Sequence, residues 1–401
     1  MTSQSSDGDL AALISKIEAF SSDSAKLDSL DGLTRYKLSE AARKLSLATE
    51  SINDSTHRIL HSPMQLPLAV VGVETHLFEI LAEQKTATTA DLAKSAKIDR
   101  GLLDRLLRYY QSVGMVDQLS KNQYRANNVT SALAAQGCRD GLPFSMGVLV
   151  PFFNAIPQYL RDSQYANFSN GAYTPWHLGH NTNMHTFDWM KERPQLLNHF
   201  LGWMACQRVG LPMFLDVYDF QKEFASGATK ETPVFVDIGG NVGHQCIAVR
   251  QRLPNLVGRI ILQDREEVIE QVQKNPLPGF EGIEAVAYDF FKPQPIKGAR
   301  AYYMRNVLHD WPEHKCVEIL NNIKPAMTSD SRILIDEMVV PEVAAPWRST
   351  QLDLTMGSAY AAAERTLPEW EALVEKAGLK IPEVRKCADQ DSHSIIVTIP
   401  K

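Results

Sequence analysis

The segment Asp237-Ile-Gly-Gly-Asn-Val-Gly243 closes a short apolar run, 234–238, and a second acid, Asp264, closes the next one. Val, Phe and Ile in such a run suit a strand buried on both faces, and the glycines let the backbone turn tightly from strand into helix. That turn implies a nucleotide-like cofactor. Gly240 and Gly243 fit two places of the dinucleotide fingerprint G-x-G-x-x-G, but Ile238 stands where its first glycine belongs, which argues against NAD. An Asp before Gly239 and Gly240 suits instead a cofactor with an amino-acid ammonium and no pyrophosphate. Asp264 is placed to accept hydrogen bonds from two ribose hydroxyls. S-adenosylmethionine has both features.

Leu308-His-Asp-Trp-Pro312 comes after another apolar run beginning at Tyr302. His309 is therefore delivered at the carboxyl end of a strand, where open α/β sheets hold their sites, and an imidazole there is suited to proton transfer. Asp310 has a structural account: with Glu313 three residues on and Pro312 between them, it reads as a capping box that starts a helix. His314, Lys315 and Glu318 look like an ordinary helix surface. Glu337, after the run 332–336, and Glu364, just upstream of the cap formed by Thr366 and Glu369, fall at comparable places.

These residues need a sheet to position them. Strand patterns at 233–238, 259–263, 283–288, 300–306 and 331–336 alternate with helix patterns, which predicts a largely parallel sheet covered on both faces in a cofactor domain over 229–401. The run 395–399 and the residues around Val384 predict a closing hairpin. Upstream, 136–228 is rich in aromatics and Met and reads as a helical linker. Phe144, Phe187 and Met204 there, with Met356 further on, are candidates for an apolar pocket wall. The polar stretch 163–183 reads as a loop over that region. In the first 135 residues, 8–62 carries Leu, Ile and Ala at helical spacing with nothing local to pack against, which points to a partner subunit. Residues 66–135 have the outline of a winged helix, with Asp99 capping one of its helices. Eight Lys and Arg there stand against seven Asp and Glu, too even a balance for a DNA reader, so the unit is expected to dimerise.

The whole-chain balance agrees. With 401 residues, a net charge of −6 and 44% hydrophobic residues, the chain has room for two domains and no broad basic surface for nucleic acid. Five scattered cysteines without C-x-x-C spacing exclude a disulfide framework and a zinc site, and read as reduced thiols. No apolar run reaches the roughly 18 residues that span a bilayer, so no membrane partner and a cytoplasmic location are expected.

Asp237-x-Gly-Gly-x-x-Gly243, Asp264, Asp289-Phe290, Leu308-His-Asp-Trp-Pro312, Glu337 and Glu364-Arg-Thr366 resemble, in order and spacing, the S-adenosylmethionine-dependent O-methyltransferases of the caffeate and flavonoid type. The nearest likeness is to fungal secondary-metabolite members, and it covers nearly the whole chain. The resemblance implies a Rossmann-like α/β methyltransferase sheet behind a mostly helical N-terminal winged-helix dimerisation domain, hence a homodimer. It implies that Asp237, Gly239 and Gly240 line the cofactor site, that Asp264 holds the ribose, Asp289 and Phe290 the adenine, and that Trp311 stacks nearby. Arg305 stands near the methionyl end. His309 becomes the general base, with Glu337 and Glu364 orienting it, and the acceptor a phenolic or enolic hydroxyl of an aromatic or polyketide-like small molecule. A phenol with a pKa near 10 needs its proton removed, which a positioned His accelerates by roughly 10²–10⁴, and no metal is required.

The chain departs from the family pattern at Ala361-Ala-Ala before Glu364, at Asn241 in place of a frequent Gly, and at Phe144 where many fungal members carry His. Some proteins of this fold bind the cofactor but steer dehydration and pericyclic ring closure, using a basic residue near Arg305 and sometimes that upstream His. Phe144 and the intact set of His309, Glu337 and Glu364 favour methyl transfer over this alternative.

Overall fold

Runs of β-branched and aromatic residues form the central sheet of the computed structural model, which describes residues 3–206, 212–387 and 392–401. The chain divides into two units, Met1–Pro67 and Leu68–Lys401. In the second, the strands are β1 (Pro233–Ile238), β2 (Arg259–Asp264), β3 (Glu284–Ala287), β4 (Ala301–Arg305), β5 (Arg332–Val340), β6 (Leu379–Lys386) and β7 (His393–Pro400), laid side by side in the order β6-β7-β5-β4-β1-β2-β3. All pair in parallel except β7, which runs antiparallel to both β5 and β6. The chain leaves β1 for β2 on one side and returns to β4 on the other. A crevice therefore opens at the carboxyl ends of β1 and β4, the usual ligand position in such sheets.

Both faces of this sheet are covered, which is why its strands read as continuous apolar runs. Phe235, Tyr303, Leu334 and Ile395 point to one face, while Val236, Tyr302, Ile335 and Ile396 point to the other, as the two-residue period requires. β5 extends four residues past the expected 336, because β7 continues the ladder, pairing Ser394 with Glu337 and His393 with Met338. Glu337 thus lies inside a strand and not beyond it. A two-residue strand, Arg365–Thr366, pairs with Val339 and Val340 at the end of β5 and draws Glu364 to the same edge.

Upstream, the helices Leu77–Gln84, Thr89–Ala96 and Arg100–Ser112 pack on a three-stranded sheet built from Thr86–Thr88, Gln123–Arg125 and Asp117–Ser120, around buried Leu77, Phe78, Leu92, Leu103 and Tyr110. Asp99 caps the third helix, accepting from the Leu102 N–H at 2.9 Å. The stretch 163–183 is only partly a loop: Pro175–His180 is a short helix, started by Thr174 and His177 in a capping box with Pro175 at its first position.

The first unit contains the helices Ser3–Ser22, Ser24–Asp28, Gly32–Thr49 and Ile52–His61. Asp31 and Ser51 cap the last two, yet neither of those helices has a buried residue. Leu10, Leu13, Leu38, Leu45 and Ile59 are exposed, and Ile52 is 90% exposed. Among the described residues no single helix is long and apolar enough to cross a membrane, and no disulfide joins the five cysteines.

Candidate active site

At the end of β1 the chain turns over its own acid. Gly239 and Gly243 have φ of +73° and +87°, values that L side chains avoid, and a Cβ on Gly240 would lie 2.5 Å from the Asp237 carboxyl carbon. Only glycine passes there. Asp237 itself is buried, and that burial, against the opposing charge of Arg305, pushes its carboxyl up to about 7. Asp264, at the end of β2, accepts from the Asn241 N–H through Oδ2 and from the Arg265 N–H through Oδ1, each at 2.8 Å. Each oxygen keeps a further lone pair, so the carboxylate presents two adjacent acceptors. Beyond β3, Asp289 is exposed and fixes its own turn by accepting from the Phe291 N–H at 2.9 Å. Phe290 meets Trp311 edge-on, with ring centroids 5.9 Å apart.

β4 delivers the second cluster. After Arg305 the backbone passes through Asn306 at φ +51° into a single 3-10 turn, Leu308–Asp310. The N–H groups at the start of such a turn have no partner within it. Glu337 Oε1 supplies one, accepting from the N–H of Val307 (3.0 Å), Leu308 (2.8 Å) and His309 (3.3 Å). Glu337 thus holds the backbone of the turn, while Glu364 holds the ring: His309 Nδ1 lies 2.7 Å from Glu364 Oε1. An ionised carboxylate only accepts, so neutral His309 carries its proton on Nδ1 and leaves Nε2 available as a base. Nε2 is 3.6 Å from Asp310 Oδ1.

The pKa of this imidazole balances two opposed effects. Burial favours the neutral ring, but the charges of Glu364, Asp310 and Glu337 and the bond to Glu364 outweigh it, raising His309 to about 10. Burial in turn pushes Glu337 up to about 7, against the charges of His309 and Arg365. The surrounding carboxylates thus favour the doubly protonated ring.

Asp310 does not play the capping part expected of it. The next helix, Glu313–Ile323, starts from Pro312 with no side-chain cap, because Trp311 is extended (φ −125°, ψ 142°) and carries the chain away from the 3-10 turn. The carboxylate of Asp310 faces Nε2 and lines a cavity of about 370 Å³ together with Trp311, Trp176, His185, Thr186 and Tyr360.

A model of the O-methyltransferase domain matches residues 220–380. O-methyltransferase lepI of Aspergillus flavus is 36% identical over 88% of this chain and 91% of its own length. Demethylsterigmatocystin 6-O-methyltransferase of Aspergillus parasiticus is 32% identical over 92% and 94%. The chain belongs to the O-methyltransferase family. Among solved structures, LepI in complex with SAM has a TM-score of 0.88 at 33% identity, covering 99% of this chain and 100% of that one. A structure described as a pericyclic reaction enzyme has the same score and identity, with 97% and 100% covered.

Within this O-methyltransferase fold, Asp237, Gly239, Gly240 and Asp264 sit together at the β1 and β2 ends, and Arg305 acts electrostatically on Asp237. Phe290 and Trp311 adjoin one another, and His309, Glu337 and Glu364 bring nitrogen and oxygen atoms within 4.8 Å. Of the pocket candidates, Phe187 packs against His185 and Tyr360, both of which line the cavity beside Asp310. Phe144 and Phe187 pack around Phe200 in an aromatic cluster, Met204 is exposed, Met356 is half-buried, and none of the four lines the cavity beside Asp310. Asp310, His185 and Tyr360 were not expected there. Adjacency to His309 was the only local sign for the first, and the other two reach the cavity from distant parts of the chain.

Proposed function

We propose that the protein transfers a methyl group from S-adenosylmethionine to a phenolic or enolic hydroxyl of an aromatic or polyketide-like metabolite, with His309 as general base. The observation that carries this reading is His309 itself. Its Nδ1 is tied to the buried carboxylate of Glu364, and its Nε2 lies 3.6 Å from Oδ1 of Asp310, which with Trp311 lines a cavity that His309 itself does not line. The fit of the cofactor rests on Asp264, whose two oxygens each retain a free lone pair for a ribose hydroxyl, and on the Gly239 and Gly240 turn, which leaves no side chain in the way. Asp237, with Arg305 near it, would lie toward the methionyl end; Asp289, Phe290 and Trp311 would hold the adenine.

When bound, S-adenosylmethionine supplies a sulfonium methyl that is already a strong electrophile. What remains for the chain is to orient the acceptor oxygen and take its proton. Orientation of two reactants contributes on the order of 7 kcal/mol at best. His309 first has to lose its extra proton, and a cation seated near the ring favours that loss. Neutral His309 then accepts the hydroxyl proton at Nε2, and Glu364 stabilises the imidazolium through Nδ1. Glu337 keeps the turn fixed through both states by its bonds to the backbone.

One neighbour supports a second reading, since the fold also occurs in a structure described as a pericyclic reaction enzyme. The two separate in one experiment. Incubation with candidate phenols should yield methylated product and S-adenosylhomocysteine in equal amounts by mass spectrometry. Product formed without that by-product decides for the pericyclic reading.

A second copy of the chain is the cover we infer for the Met1–Pro67 helices, whose apolar side chains are exposed along their length. The expected mass in solution is that of a dimer, and light scattering that returns one chain's mass at micromolar concentration overturns this.

A further inference from the structure

Arg365 is 5% exposed, and among the described residues no acid lies within ion-pair distance of it. Its guanidinium reaches instead to the turn that carries His309. Nη1 donates to the carbonyl of Leu308 at 3.4 Å and to that of Ala363 at 3.3 Å; Nη2 donates to the carbonyl of Trp311 at 3.3 Å and lies 3.5 Å from Cys316 Sγ. Cys316 Sγ lies within reach of the same two carbonyls, of Leu308 at 3.1 Å and of Trp311 at 3.3 Å, so that its one S–H donates to either. Cζ sits 5.1 Å from the centre of the Trp370 ring, which is itself anchored by its Nε1 to the Met338 carbonyl at 2.9 Å. The fork is held on every side, and it grips the turn on both sides of His309.

Its charge has a second effect. Among the described residues Glu337 Oε2 and Glu364 Oε2 are buried without a hydrogen-bond partner, and His309 is faced by Glu364, Glu337 and Asp310. Around Arg365 stand Glu337, Asp353, Cys316 and the adjacent Glu364, with Glu369 near Asp353 and Glu313 near Cys316. Three carboxylates beside one imidazole leave an excess of negative charge, and arginine cannot shed its proton in response. We propose that Arg365 is a positioning residue for His309, clamping the turn 308–311 from behind and supplying the fixed positive charge that offsets Glu337 and Glu364. The inference rests on His309 being the base.

The charge effect has a definite sign. Without the cation the site becomes more negative, the imidazolium is favoured, and a higher pH is needed to empty Nε2. In Arg365→Met the rising limb of turnover against pH moves up by about one pH unit. The pH at which proton release on cofactor binding fades, read by calorimetry in two buffers, moves with it. Arg365→Lys keeps the charge but not the fork: turnover falls roughly tenfold while both pH values stay in place. Cys316→Ala removes one neutral donor to the same carbonyls and leaves the limb where it was. Should the methionine variant fail to fold, Arg365→Gln takes its place. A limb that moves equally in the neutral and lysine variants, or in neither, overturns the proposal. Full turnover in His309→Gln removes the base reading instead, whatever Arg365 does.

Discussion

Replacing His309 with alanine is expected to lower methyl-transfer turnover by about 10²–10⁴-fold and to leave the cofactor dissociation constant within a few-fold of the original. The asymmetry has a structural cause. The turn around His309 is held by Glu337, which bonds three backbone N–H groups and no part of the imidazole, so the path of the chain and the place of Trp311 survive loss of the ring. What does not survive is the group proposed to take the proton at Nε2. Alanine also strips buried Glu364 of its Nδ1 partner, and an unsatisfied buried acceptor costs about 1–3 kcal/mol. His309→Gln answers this, since its amide can donate to Glu364 but cannot titrate. The two variants should be similarly slow. A variant retaining more than a tenth of normal turnover removes His309 from the role of base.

The same residue is readable without turnover. Raised to about 10, the ring is doubly protonated below that pH. A cation placed near it lowers its pKa and expels a proton, so cofactor binding at pH 8 should release protons in the unaltered protein and none from this site in His309→Gln. Affinity should accordingly rise with pH up to the pKa of the free protein. S-adenosylhomocysteine, whose sulfur is uncharged, should release fewer. Equal release by the two ligands would break the link between the donor's charge and the base.

How far the sequence reveals this site depends on how local each signal is. Asp237, Asp264 and His309 are legible because each lies at or just past the end of a run of buried β-branched or aromatic residues, and parallel strands bring their carboxyl ends to one edge of the sheet. Glu337 is legible as a position but not as a part. Its bonds to 307–309 arise from the parallel register of β4 on β5, which places Arg305 opposite Asp336, and no pattern in either strand announces that. Asp310 misleads for a physical reason: Asp-x-x-Glu with an intervening Pro is a sound helix start, but the preceding 3-10 turn and extended Trp311 take that acid out of the helix and put Pro312 in its place. Arg365 lies 57 and 54 residues from Leu308 and Trp311, whose carbonyls it meets, and Tyr360 joins Asp310 and His185 from far along the chain, so only the assembled sheet shows what they touch. The aromatic richness of 136–228 speaks for burial and does not by itself tell which rings belong to a packed cluster and which to a cavity wall.

At the other end of the crevice, Asp264→Ala is expected to raise the cofactor dissociation constant on the order of a hundredfold, with turnover at saturating cofactor nearly unchanged. Two ribose hydroxyls lose charged acceptors, each bond worth about 1.5–3 kcal/mol, and every 1.4 kcal/mol is tenfold in affinity. Part of that loss is returned because burial already disfavours the Asp264 carboxylate. Asn241 and Arg265 also lose the acceptor for their N–H groups, but both are exposed and water replaces it, so the thermal midpoint should move little. Asp264→Asn offers one carbonyl in place of two charged oxygens and should fall between, near tenfold. Calorimetry distinguishes this from His309→Gln by which constant moves: binding in one case, turnover in the other. Should neither Asp264 variant bind the cofactor more weakly than the unaltered protein, the ribose lies elsewhere, and the glycine turn at β1 has to be read without its acidic neighbour.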